Sequence, residues 1–378
     1  MKILSFLWSL LYMLAIIFHF PFILLENVTV KNTDLETQEK RIEELKEYYA
    51  GEDFEPVDEG SFTTFDLSLC SSIKLNEVSF IATHNSYQTT CSPAFTRFQK
   101  VLDGISFGSY NSKVSAFCSD TLTEQFNLGI RSVELDIETT VTDGEISFVC
   151  VHNPSMSTNS TCRNFPLALE EIKMWMDNNP GHMPITVIIE PKNFFLIEKN
   201  MKFFTLEYAN AFDTLLRDTF GEKLITPQDM MRDYSSLKEM RENDDWMTLE
   251  QARGHIIFMM HPCNVSQSYI EQDETMKTQA MFPLVEPTEI NEGYAAFAII
   301  NDPLLATQAS EEVIKEKKLM VRTRSDSSFG IFEQETSTLA LSSGCQIVST
   351  DYPAKAHEVL DYTVSFENGK TVKYWGNE

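Results

Sequence analysis

The sequence predicts an α/β protein closed into a (β/α)8 barrel, a TIM-type barrel, and three observations point there. Short β-rich runs alternate with amphipathic stretches that carry helix start and stop signals. The strand runs are almost continuously hydrophobic, as in a parallel sheet covered on both faces. About eight of them fall within roughly 300 residues, the count at which such a sheet closes on itself. An open doubly wound sheet is the alternative architecture. With 378 residues and 43% hydrophobic content, the chain can bury a large core, which excludes intrinsic disorder and a disulfide mini-scaffold.

The first segment, Ile3–Leu25, is apolar apart from two serines, His19 and Pro21, with Lys2 before it and Glu26 after it. It is a membrane-targeting segment, and a cleaved signal peptide and a retained transmembrane signal anchor both fit it. Either puts the bulk of the chain on the lumenal or extracellular side, in the secretory pathway or secreted, because the positive flank stays cytoplasmic. Three glycosylation sequons, at Asn27, Asn159 and Asn264, accord with that route. Residues 26–66 are rich in Glu and Lys and read as an acidic, solvated spacer with room for one short helix. The barrel is expected over 67–365, with 366–378 as a C-terminal tail.

Candidate strands run over Val78–Thr83, Ser132–Glu138, Ile146–His152, Ile185–Glu190, His255–Met260, Ala296–Ile300, Leu319–Arg324 and Gln346–Thr350. Between them, Asp120 can cap a helix that stops at Gly129. Pro166 sits at a helix start whose Leu169, Ile172 and Met176 share a face. Asp302-Pro303 opens a helix that runs into Lys315, Lys317 and Lys318, cations suited to a helix C-terminus.

A barrel demands that chemistry sit at the C-terminal ends of its strands. The polar residues comply. Strand one ends in His84-Asn85. Strand two places Glu134 and Asp136 on one side, with Val133, Leu135 and Ile137 on the other. Strand three ends in His152, and strand four in Glu190-Pro191-Lys192. Singly, such residues are often structural or solvated. In a closed barrel the Glu134 and Asp136 face is interior, and carboxylates gathered there need a metal or shared protons. Asn85, Glu134, Asp136 and Glu190 offer hard oxygens that suit Mg²⁺ or Ca²⁺, with Ca²⁺ favoured by the mixed amide and carboxylate set. Zinc through His84 and His152 lacks a supporting HExxH or cysteine cluster.

The net charge of −26, from 30 basic and 56 acidic residues, repels nucleic-acid phosphate and anionic lipid headgroups, so no nucleic-acid partner is expected and any phosphate contact must be local. Arg322 and Arg324 point to the same side of strand seven. They read either as phosphate or headgroup contacts or as structural partners of Asp326 or Asp351, and Lys192 is a similar candidate. Gly104-Ile-Ser106-Phe-Gly108 matches a lipase nucleophile elbow, but polar sequence surrounds it where a buried strand should precede it. Of seven cysteines, Cys150 with Cys162 and Cys91 with Cys118 flank rim loops that a disulfide could close, and Cys345 reads as a buried thiol.

The segments THNSY at 83–87, LGIRSVELDIE at 128–138, VCVHNP at 149–154 and the Glu190 strand end resemble the catalytic half of phosphoinositide-specific phospholipase C. WMTLEQARGHIIFMM at 246–260, LMVRTRSDS at 319–327 and SGCQIVSTDYP at 343–353 resemble its secreted, calcium-dependent, bacterial-type branch. The resemblance implies one Ca²⁺ held by Asn85, Glu134, Asp136 and Glu190. It also implies a phospholipid substrate at a membrane surface, and attack by the inositol 2-hydroxyl to give diacylglycerol and an inositol cyclic phosphate. His152 is then expected to protonate the leaving oxygen and His84 to donate to the phosphoryl oxygen, with those roles exchangeable. Glu134 or Glu190 is the expected base, with His84 able to serve instead. A same-fold phosphodiesterase acting on another glycerophospholipid or a sphingolipid, and a non-catalytic lumenal binding barrel, are the competing classes.

Overall fold

The computed structural model describes residues 21, 25–26, 30–52, 54–89, 92–105, 119–152, 159–193, 200–326, 334–351 and 363–376. Its strands in chain order are β1 Val78–Thr83, β2 Ser132–Thr142, β3 Glu145–Cys150, β4 Ile185–Pro191, β5 Met201–Lys202, β6 Ile256–Met260, β7 Phe282–Val285, β8 Phe297–Ile299, β9 Met320–Arg324, β10 Ile347–Thr350 and β11 Val372–Tyr374. The parallel neighbours run β1, β10, β9, β8, β7, β6, β4, β2, and the pair Ala82 with Ser132 returns β2 to β1. Eight parallel strands therefore close the expected (β/α)8 barrel. The strands are buried along nearly their whole length, with Val133, Leu135 and Ile137 facing one way and Glu134 and Asp136 the other.

Two strand assignments change. The run 146–152, read as the third barrel strand, is the returning arm of a hairpin: β3 pairs antiparallel with β2 from Thr142 opposite Glu145 to Ile137 opposite Cys150. Asp143 and Gly144 both take positive φ (52° and 87°), the two-residue turn that an Asp-Gly pair favours. The true eighth barrel strand is β7, Phe282–Val285, a four-residue run interrupted by Pro283 and so weak as a sequence signal.

Helix starts follow local chemistry. Thr121, one residue beyond the expected Asp120, caps Leu122–Asn127 in a reciprocal box with Glu124. Asn164 caps Phe165–Asn178, and the Asp302 side chain accepts from the Leu304 and Leu305 amides. Cys150 and Cys162 do not join: both are buried free thiols, as is Cys345, and the other expected pair, Cys91 with Cys118, lies outside the described residues.

The segments on either side of the barrel are packed onto it. Residues 30–49 form a helix much longer than the short one expected, and its Gln38 and Ile42 are buried. Glu59 pairs with the fully buried Arg131 guanidinium, which also stacks over Trp175 at 4.8 Å and donates to the Phe126 and Ile130 carbonyls. β11, within the expected tail, runs antiparallel along β1. Among the described residues no helix is long and apolar enough to cross a membrane. The apolar stretch 3–25 lies almost wholly outside them.

Candidate active site

The site is built at the C-terminal mouth of the barrel. After β1 the chain turns sharply: Asn85 takes φ 47°, a left-handed geometry that asparagine tolerates better than most residues. Ser86 then clasps β2, its Oγ accepting from the Glu134 amide at 2.8 Å and its amide donating to the Glu134 carbonyl at 3.0 Å. This crossing brings His84 and Asn85 against the interior face of β2. On the neighbouring β4, Glu190 stands level with Asp136.

Glu134, Asp136 and Glu190 converge so that one carboxylate oxygen from each lies within 4.8 Å of the others. Two cations share the cluster. Arg322 reaches across the barrel interior to Glu134 (2.5 Å) and also contacts Ser349 at 3.3 Å and the Asn301 side chain. Lys192 contacts Glu190 and approaches Asp136 at 3.1 Å. The partner of Arg322 is thus Glu134, neither of the two aspartates weighed from sequence. Lys192 likewise engages the carboxylates.

Electrostatics separates the three acids. Burial pushes Glu134 up, but Arg322 and His84 outweigh it and hold the carboxyl below its ordinary range. Burial likewise opposes ionisation of Glu190, and Lys192 reverses the balance. Asp136 goes the other way: burial and the Glu190 charge raise it well above the usual carboxylate range, with Lys192 only partly opposing. Both Asp136 carboxylate oxygens are fully buried, Oδ2 facing Lys192 and Oδ1 without a hydrogen bond, and the Tyr87 phenol beside them is raised by burial and by that charge. A buried hard-oxygen donor set with an orphaned acceptor and too few cations fits a divalent oxygen-seeking ion.

The histidines flank this cluster. His84 Nδ1 lies 2.7 Å from Asp351 Oδ1, and His84 Nε2 lies 3.6 Å from Glu134 Oε1. Arg324 Nη2 and Asn85 Nδ2 approach His84 Nδ1 at 3.2 and 3.5 Å. Burial and the Arg324 charge depress His84 well below its ordinary value. His152, just past the β3 arm, is lowered to about 4 by burial and by Lys192, while Glu190, Glu134 and Asp351 act in the opposite direction. Both imidazoles are therefore neutral at pH 7 in this geometry. The hairpin returns β3 to the mouth, so His152 joins the site although its strand is outside the barrel.

The structure adds residues that the sequence reading missed. Asp351, at the end of β10, orients His84; it was considered only as an arginine partner. His261 follows β6 directly, and its field acts on Glu134 and Glu190. The strand-end rule that selected His84 would also have selected His261. Ser106 of the elbow-like motif lies outside the described residues. A helix, Pro93–Ile105, runs into that motif where an elbow needs a strand.

The sequence model of the family "Phosphoinositide phospholipase C, Ca2+-dependent" matches residues 144–375. His152, Glu190, Lys192, Arg322 and Arg324 fall within that match, and His84, Asn85, Glu134 and Asp136 precede it. Among solved structures, the apo calcium-dependent phosphoinositol-specific phospholipase C from Pseudomonas sp., a Gram-negative bacterium, aligns with a TM-score of 0.57 and 18% identity, covering 84% of this chain and 100% of that one. A second crystal form of it gives 0.55 at 18%, covering 82% and 98%. The Ca²⁺-dependent phosphatidylinositol-specific phospholipase C of Streptomyces antibioticus gives 0.52 at 14%, covering 74% and 95%. No curated protein matches the chain. The structural likenesses establish the shared barrel, and the family match spans more than half of the chain. The protein belongs to the Ca²⁺-dependent phosphoinositide phospholipase C family and is a phosphoric diester hydrolase.

Proposed function

We propose that the chain cleaves phosphatidylinositol-type phospholipids into diacylglycerol and an inositol 1,2-cyclic phosphate. The observation that carries this reading is the gathering of a carboxylate cluster and two histidine side chains at one barrel mouth. Asn85, Glu134, Asp136 and Glu190 would hold Ca²⁺, which supplies a Lewis acid that lowers the 2-hydroxyl pKa and offsets charge on the phosphoryl group. The nucleophile belongs to the substrate, so orientation supplies much of the rate.

His84 is suited to accept the 2-hydroxyl proton. With Nδ1–H donated to Asp351, its Nε2 lone pair faces the site, and the aspartate stabilises the imidazolium that forms. The 2-oxygen then bonds to phosphorus as the phosphorus–glycerol oxygen bond breaks. His152 gives its proton to that departing oxygen. The anionic phosphodiester beside His152 raises its pKa from the low value that burial imposes, so that it carries a proton when substrate is bound. Arg324, close to His84, is placed to contact the phosphate, while Arg322 and Lys192 balance the acidic cluster.

The substrate side is a membrane surface. Phe203, Leu304 and Leu305 are large exposed apolar residues, and each lies on a segment beyond the C-terminal end of a strand, at the end of the barrel where the site opens. Apolar side chains around the mouth suit a lipid interface. An extracellular or lumenal setting is supported by the apolar Ile3–Leu25 segment behind Lys2. Of the described sequons, Asn264 is exposed and suits modification, whereas Asn159 is only 4% exposed and does not.

Phosphorus NMR of the soluble product tests the reading. Phosphatidylinositol vesicles with calcium should yield the five-membered cyclic phosphate. A product lacking the ring, or cleavage only of sphingolipid or another glycerophospholipid, would contradict it.

A further inference from the structure

We propose that helical residues 30–49 form a strap that positions both histidine-bearing rim segments, with Asp34, Gln38 and Arg41 as positioning residues for the reaction. The proposal rests on the phospholipase reading above. These three residues recur at helical spacing and share one face. All three grip the same short strip, residues 159–164. Asp34 accepts from the Ser160 amide at 3.0 Å. Gln38 makes a two-way clamp on Asn164, accepting from its amide at 2.7 Å and donating to its carbonyl at 2.9 Å. Arg41 donates to the Thr161 carbonyl at 2.5 Å and to Glu171 at 2.8 Å. Gln38 is fully buried, so these bonds form away from competing water.

The opposite edge of the strip holds the catalytic segments. The Thr161 amide donates to the Tyr87 carbonyl at 2.8 Å, Ser160 bridges Gln88, and the Thr89 amide reaches Asn159 at 3.4 Å. Residues 87–89 continue directly from His84 and Asn85. The Cys150 amide donates to the Arg163 carbonyl at 3.2 Å, and Val149 bridges Asn164; His152 is two residues beyond Cys150. The strip thus lies between the helix and both imidazole-bearing segments. A second tie has the same effect: Glu26 accepts from the Ser92 amide at 2.7 Å and its hydroxyl at 2.6 Å, just beyond the His84 turn.

Three of the four proposed calcium donors are separable from the strap, whereas Asn85 lies on the segment that it holds. Glu134, Asp136 and Glu190 stand on β2 and β4, whose ladders close without the helix. Loosening the strap should therefore misplace the histidines and spare the carboxylates. A displacement on the order of 1 Å at a reacting group can cost up to about 100-fold in rate.

The test uses the full chain with soluble phosphatidylinositol, comparing wild type, the double variant Gln38→Ala/Arg41→Ala, and the pair Asp34→Leu and Asp34→Asn. The expected result is a fall in kcat of about tenfold or more in the double variant and a smaller fall in Asp34→Leu. KM should stay within about twofold, and Asp34→Asn should retain activity because its amide oxygen still accepts from Ser160. An unchanged kcat with a lowered Tm would overturn the proposal and leave the helix a covering layer only. Wild-type inactivity would count against the phospholipase reading, and amide hydrogen exchange then decides the strap by itself. The double variant should accelerate exchange at Thr161 and Cys150 relative to Ile188 of β4, whereas unchanged exchange overturns the strap.

Discussion

The Asp351 carboxylate, at the end of β10, sits 2.7 Å from Nδ1 of His84 at the end of β1, joining two strands that are neighbours in the barrel but lie at opposite ends of the sequence. The contact fixes the imidazole tautomer, keeping Nδ1 protonated and Nε2 free to take a proton. Replacing Asp351 with Asn keeps an oxygen for that bond but removes the charge that stabilises the imidazolium. The expected outcome is a loss of about 10- to 100-fold in kcat with little change in KM. Steady-state kinetics on soluble phosphatidylinositol checks it, and unchanged turnover would remove Asp351 from the proton path.

Asp136 is buried and raised in pKa, with Oδ1 lacking a hydrogen bond, so it strains the metal-free fold. Asp136→Asn should raise the Tm of the chelated protein and abolish the upward shift that calcium produces in the wild type. At 100 times the dissociation constant, a bound ion contributes about 2.7 kcal/mol, or about 3 °C for a chain this size. Differential scanning calorimetry with calcium and with chelator reads both effects.

Asp326 is fully buried and pushed up to about 7 by burial and by Asp351. Its folded-state pKa exceeds the unfolded value of 3.8, so the native state holds this proton more tightly. The resulting stability is fully present below about pH 4 and is lost as pH rises through about 7. Asp326→Asn should flatten that decline in urea unfolding curves taken between pH 4 and 8. An identical pH slope in the variant would exclude Asp326 as its source.

Gly129 takes φ +86°, and a Cβ there would collide with the Phe62 ring and lie 2.6 Å from Thr371 Oγ1. Both neighbours belong to segments flanking the barrel. Gly129→Ala should destabilise the fold by about 2 kcal/mol or more through backbone strain and overlap. Denaturant titration measures it.

The barrel was legible because seven of its strands are short, β-rich runs that alternate with stretches carrying helix start and stop signals. β7 escaped notice through its shortness and Pro283. The β3 arm entered the strand count because its composition resembles a core strand, although the Asp143-Gly144 turn marks a hairpin. Glu134 and Asp136 were readable from alternation alone. Arg322 was harder, since its partner Glu134 is 188 residues away, and sequence spacing carries no information about which side chains meet across a barrel. The helix over 30–49 reads as solvated because its docking face uses Gln38 and Arg41 bonded to backbone groups, which a hydrophobic pattern does not register.

The central claim is calcium-dependent cleavage by the carboxylate and histidine site. It is tested most directly by release of soluble phosphoinositol from phosphatidylinositol vesicles, with calcium or chelator, by the wild type and His152→Ala. The account predicts release that requires calcium and falls by about 100-fold or more in the variant. Release that persists in chelator, or is unchanged in His152→Ala, would contradict it.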